Sequence, residues 1–268
     1  MATYLNVSVD AARLAGAVVM DGTVDSGSTS TIVDTELNFP NTDELTGLQV
    51  VITSGSAIGD VRIINTFDAS TDTITVIPNF SAATAAGVTY VIVDPSIAEF
   101  TFVKRCVADA VRVIRRRRLL MHSDESLAGE ADNVYTIPSD FVGISEVWYD
   151  DGDEANYYPF RVHPHDWWVG VDGLLRIRKG NVPVGRDILL HGVKLMTIPS
   201  ANADTIPDPV EVFVKLYANQ MIRIGQVGTS LDPVSANQLI AQILIAANSL
   251  LSEFAQPPPP NCKFFEDF

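Results

Sequence analysis

Residues 48–94 read LQVVITSGSAIGDVRIINTFDASTDTITVIPNFSAATAAGVTYVIVD, a stretch in which short runs rich in Val, Ile and Thr recur. The runs are LQVVIT, DVRIIN, DTITVI and TYVIVD, and clusters such as SGSAIGD and DASTD separate them. β-Branched residues favour strands, whereas Gly, Ser and Asp favour the turns between strands. Because residues 22–47 have a similar composition, the sequence predicts a compact antiparallel β-sandwich or barrel over 22–94.

Beyond this module the pattern changes to helical periodicity. Asp94-Pro95, Asp208-Pro209 and Asp232-Pro233 each combine a good N-cap residue with a proline suited to the first helical position. Apolar residues then recur at helical spacing in two stripes, which are Phe100, Val103, Val107, Val111 and Ile114, and Ile240, Ile243, Ala247, Leu250 and Phe254. We therefore predict helices at about 95–120, 209–226 and 233–255, with a weaker helix within 4–20.

Residues 134–196 form a second β-prone region with candidate strands EVWYD, LLRIRKG and DILLHGV. The predicted fold class is α+β, with a helical bundle core that contains a small antiparallel β region. That core spans 1–21 and 95–255, with the β region at 134–196 and the all-β module of 22–94 inserted into it. Residues 256–268 form an extended C-terminal arm, because four consecutive prolines cannot continue a helix.

The composition of the 268-residue chain excludes several classes of protein. Apolar residues make up 47% and charged residues 19%, which indicates a folded protein with a substantial core. No apolar run approaches the roughly 18 residues needed to span a bilayer. The start of the chain does not resemble a signal peptide. Only Cys106 and Cys262 are present, which is too few for a disulfide framework. These features predict synthesis in the cytoplasm and no membrane association.

Charge is distributed unevenly along the chain, whose formal net charge is −15. Residues 1–100 hold twelve acidic side chains against two basic ones, whereas residues 104–118 hold seven of the eighteen basic residues. The basic cluster contains Arg112, Arg115, Arg116, Arg117 and Arg118. Four consecutive arginines span roughly 300° around a helix, so one flat surface cannot contact all of them. Three interpretations stay open: a solvated helix end that offsets the macrodipole, contacts with acidic neighbouring subunits, and direct contact with DNA.

Motifs for common enzymatic chemistry are missing from the sequence. There is no GxxxxGK[ST], no GxGxxG after a strand and no nucleophile elbow. The segment HPHDWW at 163–168 places His163, His165 and Asp166 at a spacing that could ligate a metal, although no third ligand cluster accompanies it. The alternative is a loop that packs its two tryptophans on the helical core and exposes its histidines. We expect no enzymatic activity, no metal and no cofactor.

Two long segments resemble proteins of tailed bacteriophages. The segment YTIPSDFVGISEVWYD…GLLRIRKGNVPVGRDILLHGV, followed by IPDPVEVFVKLYANQMI, resembles the head-to-tail adaptor (connector) proteins. The matching features are an aromatic-x-(Leu/Ile)-Pro-x-Asp-Phe start, a strand pair closed by a P-x-G turn, and an Ile-Pro helix start. The 22–94 stretch separately resembles a small β-module of phage structural proteins, with the signature STIVDTELNF…LTGLQVVITSGSAIGDVRIINTFDASTDTITVIPNF…TYVIV.

This resemblance implies a structural role in the virion neck. Such adaptors form a homo-oligomeric ring, typically of twelve copies, between the portal protein and a downstream tail or nozzle protein. The ring extends the channel through which genomic DNA passes transiently when it leaves the head. Strongly acidic walls would repel passing DNA, whereas basic walls would hold it. Within a ring, the arginines of one subunit can meet the acidic flank of the next.

Two other functions remain open at this stage. The chain could be a tail- or capsid-associated attachment or decoration protein that uses its β-module for binding. The predicted helical core favours an adaptor, because surface decorations are more often all-β. The chain could also be a metal-dependent hydrolase that acts at HPHDWW.

The C-terminal arm is the predicted docking segment for the portal. Its sequence is QPPPPNCKFFEDF, and a free end with three phenylalanines would leave apolar surface uncovered. In related adaptors the C-terminal segment engages the portal. By that resemblance we expect portal docking through Pro257, Pro258, Phe264, Phe265 and Phe268. The alternative is a disordered end.

Overall fold

The computed structural model describes residues 1–117, 120–152, 157–230, 238, 241–242, 245–246, 249 and 263–264. The chain divides into two compact units. Unit 1 comprises Met1–Val111 and Ile198–Phe254, and unit 2 comprises Arg112–Thr197 and Ala255–Phe268.

The helices and strands of the described residues follow one another along the whole chain. In order, the elements are β1 (Ala2–Thr3), α1 (Tyr4–Leu14), β2 (Val18–Thr23), β3 (Ser26–Gly27), β4 (Thr31–Val33), β5 (Gln49–Ile52), β6 (Val61–Asp68), β7 (Thr73–Ile77), β8 (Thr89–Val93), α2 (Phe100–Arg117), β9 (Leu120–Ala128), β10 (Val134–Thr136), β11 (Phe141–Tyr149), β12 (Phe160–Arg161), β13 (Trp167–Val169), β14 (Leu174–Ile177), β15 (Asp187–Lys194), β16 (Thr205–Ile206), α3 (Asp208–Ser230) and β17 (Lys263–Phe264).

Seven strands of unit 1 form one antiparallel sheet that closes on itself. The strand order is β2–β8–β5–β6–β7–β4–β3, and only Val24 and Asp25 separate β2 from β3 along the chain. One extended segment therefore pairs with β8 near its start and with β4 near its end, which closes the sheet into a small barrel. Its core contains, among others, Val50, Ile52, Ile64, Phe67, Ile74, Val76, Tyr90 and Ile92.

A glycine in β2 makes room for a buried polar pair in the barrel. The Tyr90 hydroxyl donates a hydrogen bond to Asp34 Oδ2 at 2.7 Å, and Asp34 is only 1% exposed. Asp34 also accepts hydrogen bonds from the backbone N–H groups of Thr23 and Glu36. A Cβ atom at Gly22 would lie 2.4 Å from the Tyr90 side chain and 2.6 Å from Asp34 Oδ2. Any larger residue at this position must therefore displace the pair.

The helices of unit 1 contact one another at specific points. α1 packs against α3, and the hydroxyl of Tyr4 in α1 donates to the backbone carbonyl of Lys104 in α2 at 2.5 Å. Gln226 of α3 donates to the carbonyl of Ile97, just before α2, at 2.9 Å. The apolar stripe predicted for α2 is confirmed as buried, with exposures of 0–2% for Phe100, Val103, Val107, Val111 and Ile114.

The helix boundaries differ in part from the predicted ones. α2 begins at Phe100, because Asp94 forms a turn in which its side chain accepts hydrogen bonds from Ser96. α3 begins at Asp208, and α1 ends at Leu14, inside the range predicted for the weaker helix. Most of the helix predicted at 233–255 lies outside the described residues. The positions of that range that are described are helical, namely Gln238, Ala241, Gln242, Ile245, Ala246 and Ser249.

Unit 2 contains two antiparallel sheets that share one core. The larger has the order β12–β11–β15–β9, with β17 also paired to β11, and the smaller has the order β10–β14–β13. The shared core includes Phe141, Ile144, Val147, Ile188 and Leu190 from the larger sheet, and Tyr135, Trp167, Leu175 and Ile177 from the smaller one. The three strands predicted here from EVWYD, LLRIRKG and DILLHGV are confirmed within β11, β14 and β15.

The predicted fold class is wrong in its central feature. The chain was expected to have a helical bundle core with a small β region, but most of the described elements are strands, which form four antiparallel sheets. The physical reason is that strand pairing joins segments far apart in the chain, as β9 and β15 show, and local patterns do not reveal such pairing. β9, which follows α2 at Leu120, was not predicted because its sequence, LMHSDESLA, alternates poorly and contains four acidic or hydroxyl residues in succession.

The turn Pro183–Gly185 also differs from its expected role. It was expected to close a strand pair, but the flanking strands β14 and β15 belong to different sheets. The turn therefore connects the two sheets of unit 2.

None of the described helices combines the length and the apolar character that crossing a bilayer requires.

Candidate interaction surfaces

The basic segment lies at the C-terminal end of α2. Arg112 is exposed, Arg115 is half-buried, and the backbone of Arg116 and Arg117 is helical, whereas Arg118 lies outside the described residues. Positive charge near the C-terminal end of a helix offsets the helix macrodipole, so part of this cluster is accounted for within α2. The roles predicted for these arginines at a subunit interface or in a channel stay predictions.

The C-terminal arm contributes one short strand to unit 2. β17 pairs antiparallel with β11, with Phe264 opposite Gly143 and Lys263 opposite Ile144. Pro257, Pro258, Phe265 and Phe268, which were predicted to dock on the portal, lie outside the described residues. The arm was expected to act only on a partner, and sequence reasoning missed its pairing with β11, because two residues give no strand signal of their own.

HPHDWW forms an exposed segment around one buried tryptophan. His163 and His165 are exposed, and their ring centroids lie 5.2 Å apart. Asp166 pairs with Arg178 at 3.0 Å. Trp167 is 1% exposed in the core of unit 2, whereas Trp168 is 47% exposed. The expectation that both tryptophans pack on a helical core is therefore wrong. In the part of the chain that the structure describes, no group of three or more His, Cys, Asp or Glu side chains is placed to hold a metal ion.

An open depression of about 500 Å³ in unit 2 brings polar side chains together from three strands. It is lined by Met121, His122, Ser123, Ser145, Glu146 and His191. Ser123 Oγ lies 2.7 Å from His191 Nδ1, which is the geometry of a hydroxyl and a neighbouring base. No sequence signal could have found this pair, because the two residues are 68 positions apart on strands of unlike pattern.

The same depression does not contain a complete catalytic triad in its described side chains. Glu146 lies opposite His191 in the β11–β15 register. Its Oε1 pairs with Arg161 at 2.8 Å, and its Oε2 accepts a hydrogen bond from Trp148 Nε1 at 2.9 Å. Neither of these contacts is with the His191 ring, so the described side chains do not show an acid that orients His191. We interpret Ser123, His191 and Glu146 as polar side chains on neighbouring strands of the larger sheet.

His122 lies beside the depression and contacts Asp140. Its Nε2 is 2.8 Å from Asp140 Oδ2, but the contact is poorly aligned for a hydrogen bond and is best described as an ion pair when His122 is protonated. Lys194 Nζ lies 3.5 Å from the same carboxylate oxygen. Asp140 therefore faces two basic groups at this end of the larger sheet.

Unit 1 has a second open depression, of about 560 Å³, beside α1 and the barrel. Arg13 at its rim pairs with Asp10 at 2.9 Å and with Asp21 at 2.5 Å. Asp10 in turn contacts Lys215 at 2.7 Å, which also pairs with Glu211. The alternating charges form a chain of ion pairs with three acidic and two basic side chains, so both of its basic groups are already paired.

Cys106 has no nucleophilic role in this fold. It is 3% exposed on α2, and burial, with a smaller contribution from Asp109, raises the pKa of its thiol to about 12. Since the thiolate is the reactive form, Cys106 is a core residue.

No protein-family model and no curated protein sequence matches this chain.

Proposed function

We propose that this chain is a structural, non-enzymatic virion protein that forms a ring adaptor between the portal and the tail of a tailed bacteriophage. Its partners would be the portal protein, a downstream tail or nozzle protein, and other copies of itself, with genomic DNA passing through the ring. The proposal is supported by the two resembling segments and by the uneven charge of the chain. The observation that carries it is the basic end of α2 in a chain of net charge −15.

The charge distribution supports a repeated contact between copies. A surface that is basic at one place and acidic over most of the remainder is complementary to itself head-to-tail, and such heterologous contacts form a ring when the rotation between copies closes. The exposure of Arg112 on α2 supports such a contact. An excess of acidic side chains on the ring would also weaken retention of DNA during its passage.

A second candidate is an attachment or decoration protein of the tail or capsid. The predicted helical core had favoured the adaptor, and that core is wrong. The predominance of β-structure and the closed barrel of unit 1 now favour the second candidate more than the sequence did. The two candidates differ in one measurable property, since an adaptor must form a closed ring by itself or on the portal.

The test removes the basic cluster. Replacing Arg115, Arg116, Arg117 and Arg118 with Ser should weaken ring formation and leave a folded monomer, measured by sedimentation velocity and by electron microscopy of negatively stained particles. A control variant removes positive charge elsewhere, at the exposed Lys179 and Arg223. Rings that form normally from the first variant would contradict the proposed interface. A wild-type chain that never forms rings, with or without the portal, would contradict the adaptor function itself.

The predicted docking of the arm is tested separately. Removing residues 256–268 should leave the barrel of unit 1 intact and abolish attachment to portal-bearing heads, because the arm holds the phenylalanines expected to enter portal pockets. Occupancy on purified heads is measured by quantitative mass spectrometry. Heads that carry the truncated protein at normal occupancy would contradict a docking role for Phe264, Phe265 and Phe268.

A further inference from the structure

The two edges of β11 pair with different strands. One edge pairs with β15 from Phe141 to Tyr149. On the other edge, the described residues place β12 opposite Trp148 and Tyr149, and β17 opposite Gly143 and Ile144. We call residues 141–145 of this second edge the β11 acceptor edge. A strand edge presents backbone N–H and C=O groups to which another strand can add.

The β11 acceptor edge lies in a buried part of unit 2. Each residue from Phe141 to Ser145 is buried, and Phe141 and Ile144 belong to the core. Buried backbone groups without partners are costly, so a strand at this place stabilises the sheet. In the described part of the chain, β17 is the strand that occupies it.

The sequence before the occupying strand is rich in proline. Residues 257–260 are four consecutive prolines, which lack N–H donors and favour an extended conformation. A strand at the end of such a tether makes the same backbone hydrogen bonds whether it belongs to the same copy or to another. Effective concentration then decides which copy supplies the strand.

We propose that, when copies of this protein assemble, the β11 acceptor edge of one copy binds Lys263–Phe264 of a second copy. The inference rests on the proposed ring, because neighbouring subunits hold their arms near one another at high local concentration. The exchange links subunits without a new type of contact, since it reuses the pairing of β17 with β11. Phe265 and Phe268 follow the paired residues in sequence, and under the proposed function they bind the portal.

The first experiment tests whether the edge accepts a strand that is not part of its own chain. A fluorescent peptide of residues 255–268 is titrated into the chain that lacks residues 256–268, after circular dichroism has shown that this chain is folded. We expect saturable binding, together with slower amide exchange at the one of Gly143 and Ile144 whose N–H faces the added strand, because successive amides of a strand point to opposite edges. A control peptide with Lys263→Pro and Phe264→Pro should bind at least tenfold more weakly, because proline cannot donate a hydrogen bond.

The second experiment uses the full chain and identifies which copy donates the strand. Protein with Phe264→p-benzoylphenylalanine is prepared in ¹⁴N and ¹⁵N forms, mixed in equal amounts, allowed to assemble and irradiated. If arms are exchanged, about half of the cross-links between the arm and the β11 peptide should join chains of different isotope composition. Protein irradiated as a dilute monomer should give cross-links of a single isotope composition.

The outcomes separate this inference from the proposed function. Rings whose cross-links all have one isotope composition would overturn strand exchange and leave the adaptor proposal intact. Failure of the peptide to bind the folded, truncated chain would also overturn it. A chain that binds the peptide but never forms rings would contradict the adaptor function while supporting the acceptor edge.

Discussion

The barrel of unit 1 and the larger sheet of unit 2 complete their backbone hydrogen bonding in different ways. In the barrel, the segment that contains β2 and β3 pairs with both β8 and β4, so the sheet closes with residues that are adjacent in sequence. In the larger sheet, one edge of β11 is completed by β17, which lies more than a hundred residues further along the chain. The described strands of the barrel leave no sheet edge to be paired, whereas the larger sheet depends at its β11 edge on a strand that another molecule can also supply. We therefore expect partners to bind at the β11 edge.

The largest loss of stability should come from truncating a buried side chain in the core of one unit. Phe67 is fully buried in the barrel and meets the Phe39 ring edge-on at a centroid distance of 6.2 Å. Phe67→Ala should lower the free energy of unfolding of unit 1 by about 3–5 kcal/mol. The three tryptophans of the chain, Trp148, Trp167 and Trp168, all lie in unit 2, so their fluorescence should report unit 2 alone. We expect calorimetry to detect the loss while the fluorescence midpoint stays unchanged.

The matched variant for the open sheet is Leu190→Ala. Leu190 is fully buried in the core of unit 2, so this change should lower the fluorescence midpoint through a loss of about 2–5 kcal/mol. If either variant shifts both the fluorescence and the calorimetric transitions by the same amount, the two units unfold as one, and the comparison between them loses its basis.

A smaller effect should follow from filling a close contact between β15 and β11. A Cβ atom at Gly192 would lie 2.1 Å from the carbonyl oxygen of Gly143 and 2.9 Å from the Phe141 ring. Gly192→Ala should therefore force β15 and β11 apart and destabilise unit 2 by about 1–3 kcal/mol, measured by tryptophan fluorescence in urea. Gly22→Ala, which meets Tyr90 instead, is the barrel counterpart and should leave that signal unchanged. An unchanged urea midpoint for Gly192→Ala would show that the larger sheet of unit 2 accommodates the added methyl group without loss of stability.

How much of this fold the sequence could reveal depended on the range of the interactions. The α2 stripe from Phe100 to Ile114 was predicted correctly, because helical periodicity is a local signal. The dominance of sheets was missed, because β9 finds its partner β15 more than fifty residues away and owes its conformation to that pairing. The Ser123–His191 contact and the pairing of β17 with β11 were missed for the same reason. Register across strands is a property of the folded sheet that no short window of sequence contains.

The next prediction concerns the polar pair inside the barrel. Tyr90→Phe removes one of three donors to the buried carboxylate of Asp34 and should cost unit 1 about 1–2 kcal/mol, because the backbone donors of Thr23 and Glu36 remain. Burial, together with the hydrogen bond to Asp34, raises the pKa of Tyr90 well above its ordinary value of 10.0. Calorimetric unfolding of unit 1 at fixed pH is the measurement.

The raised pKa of Tyr90 also predicts a dependence on pH with a definite sign. Its contribution to stability is present below about pH 10, where the unfolded tyrosine keeps its proton, and is lost as the pH rises towards the folded pKa. The stability of unit 1 should therefore fall with pH above about 10 in the wild type and fall less steeply in Tyr90→Phe. Equal slopes for the two proteins would mean that Tyr90 titrates alike in both states.

The smallest effect should come from the ion-pair chain of unit 1, where Lys215 contacts both Asp10 and Glu211. Lys215→Met keeps most of the apolar stem and removes the charge, so the expected loss is only about 0.2–1 kcal/mol at low salt, because partly exposed pairs gain little over water. Salt screens such pairs, so the difference from wild type should shrink further at 1 M NaCl, where the Debye length is about 3 Å. Arg223→Met, on the exposed side of α3, is the control for charge removal itself. Calorimetry at the two salt concentrations distinguishes the outcomes. A loss of stability for Lys215→Met that persists at high salt would mean that this side chain stabilises unit 1 through packing. The ion pairs of Lys215 would then contribute nothing to the stability of unit 1.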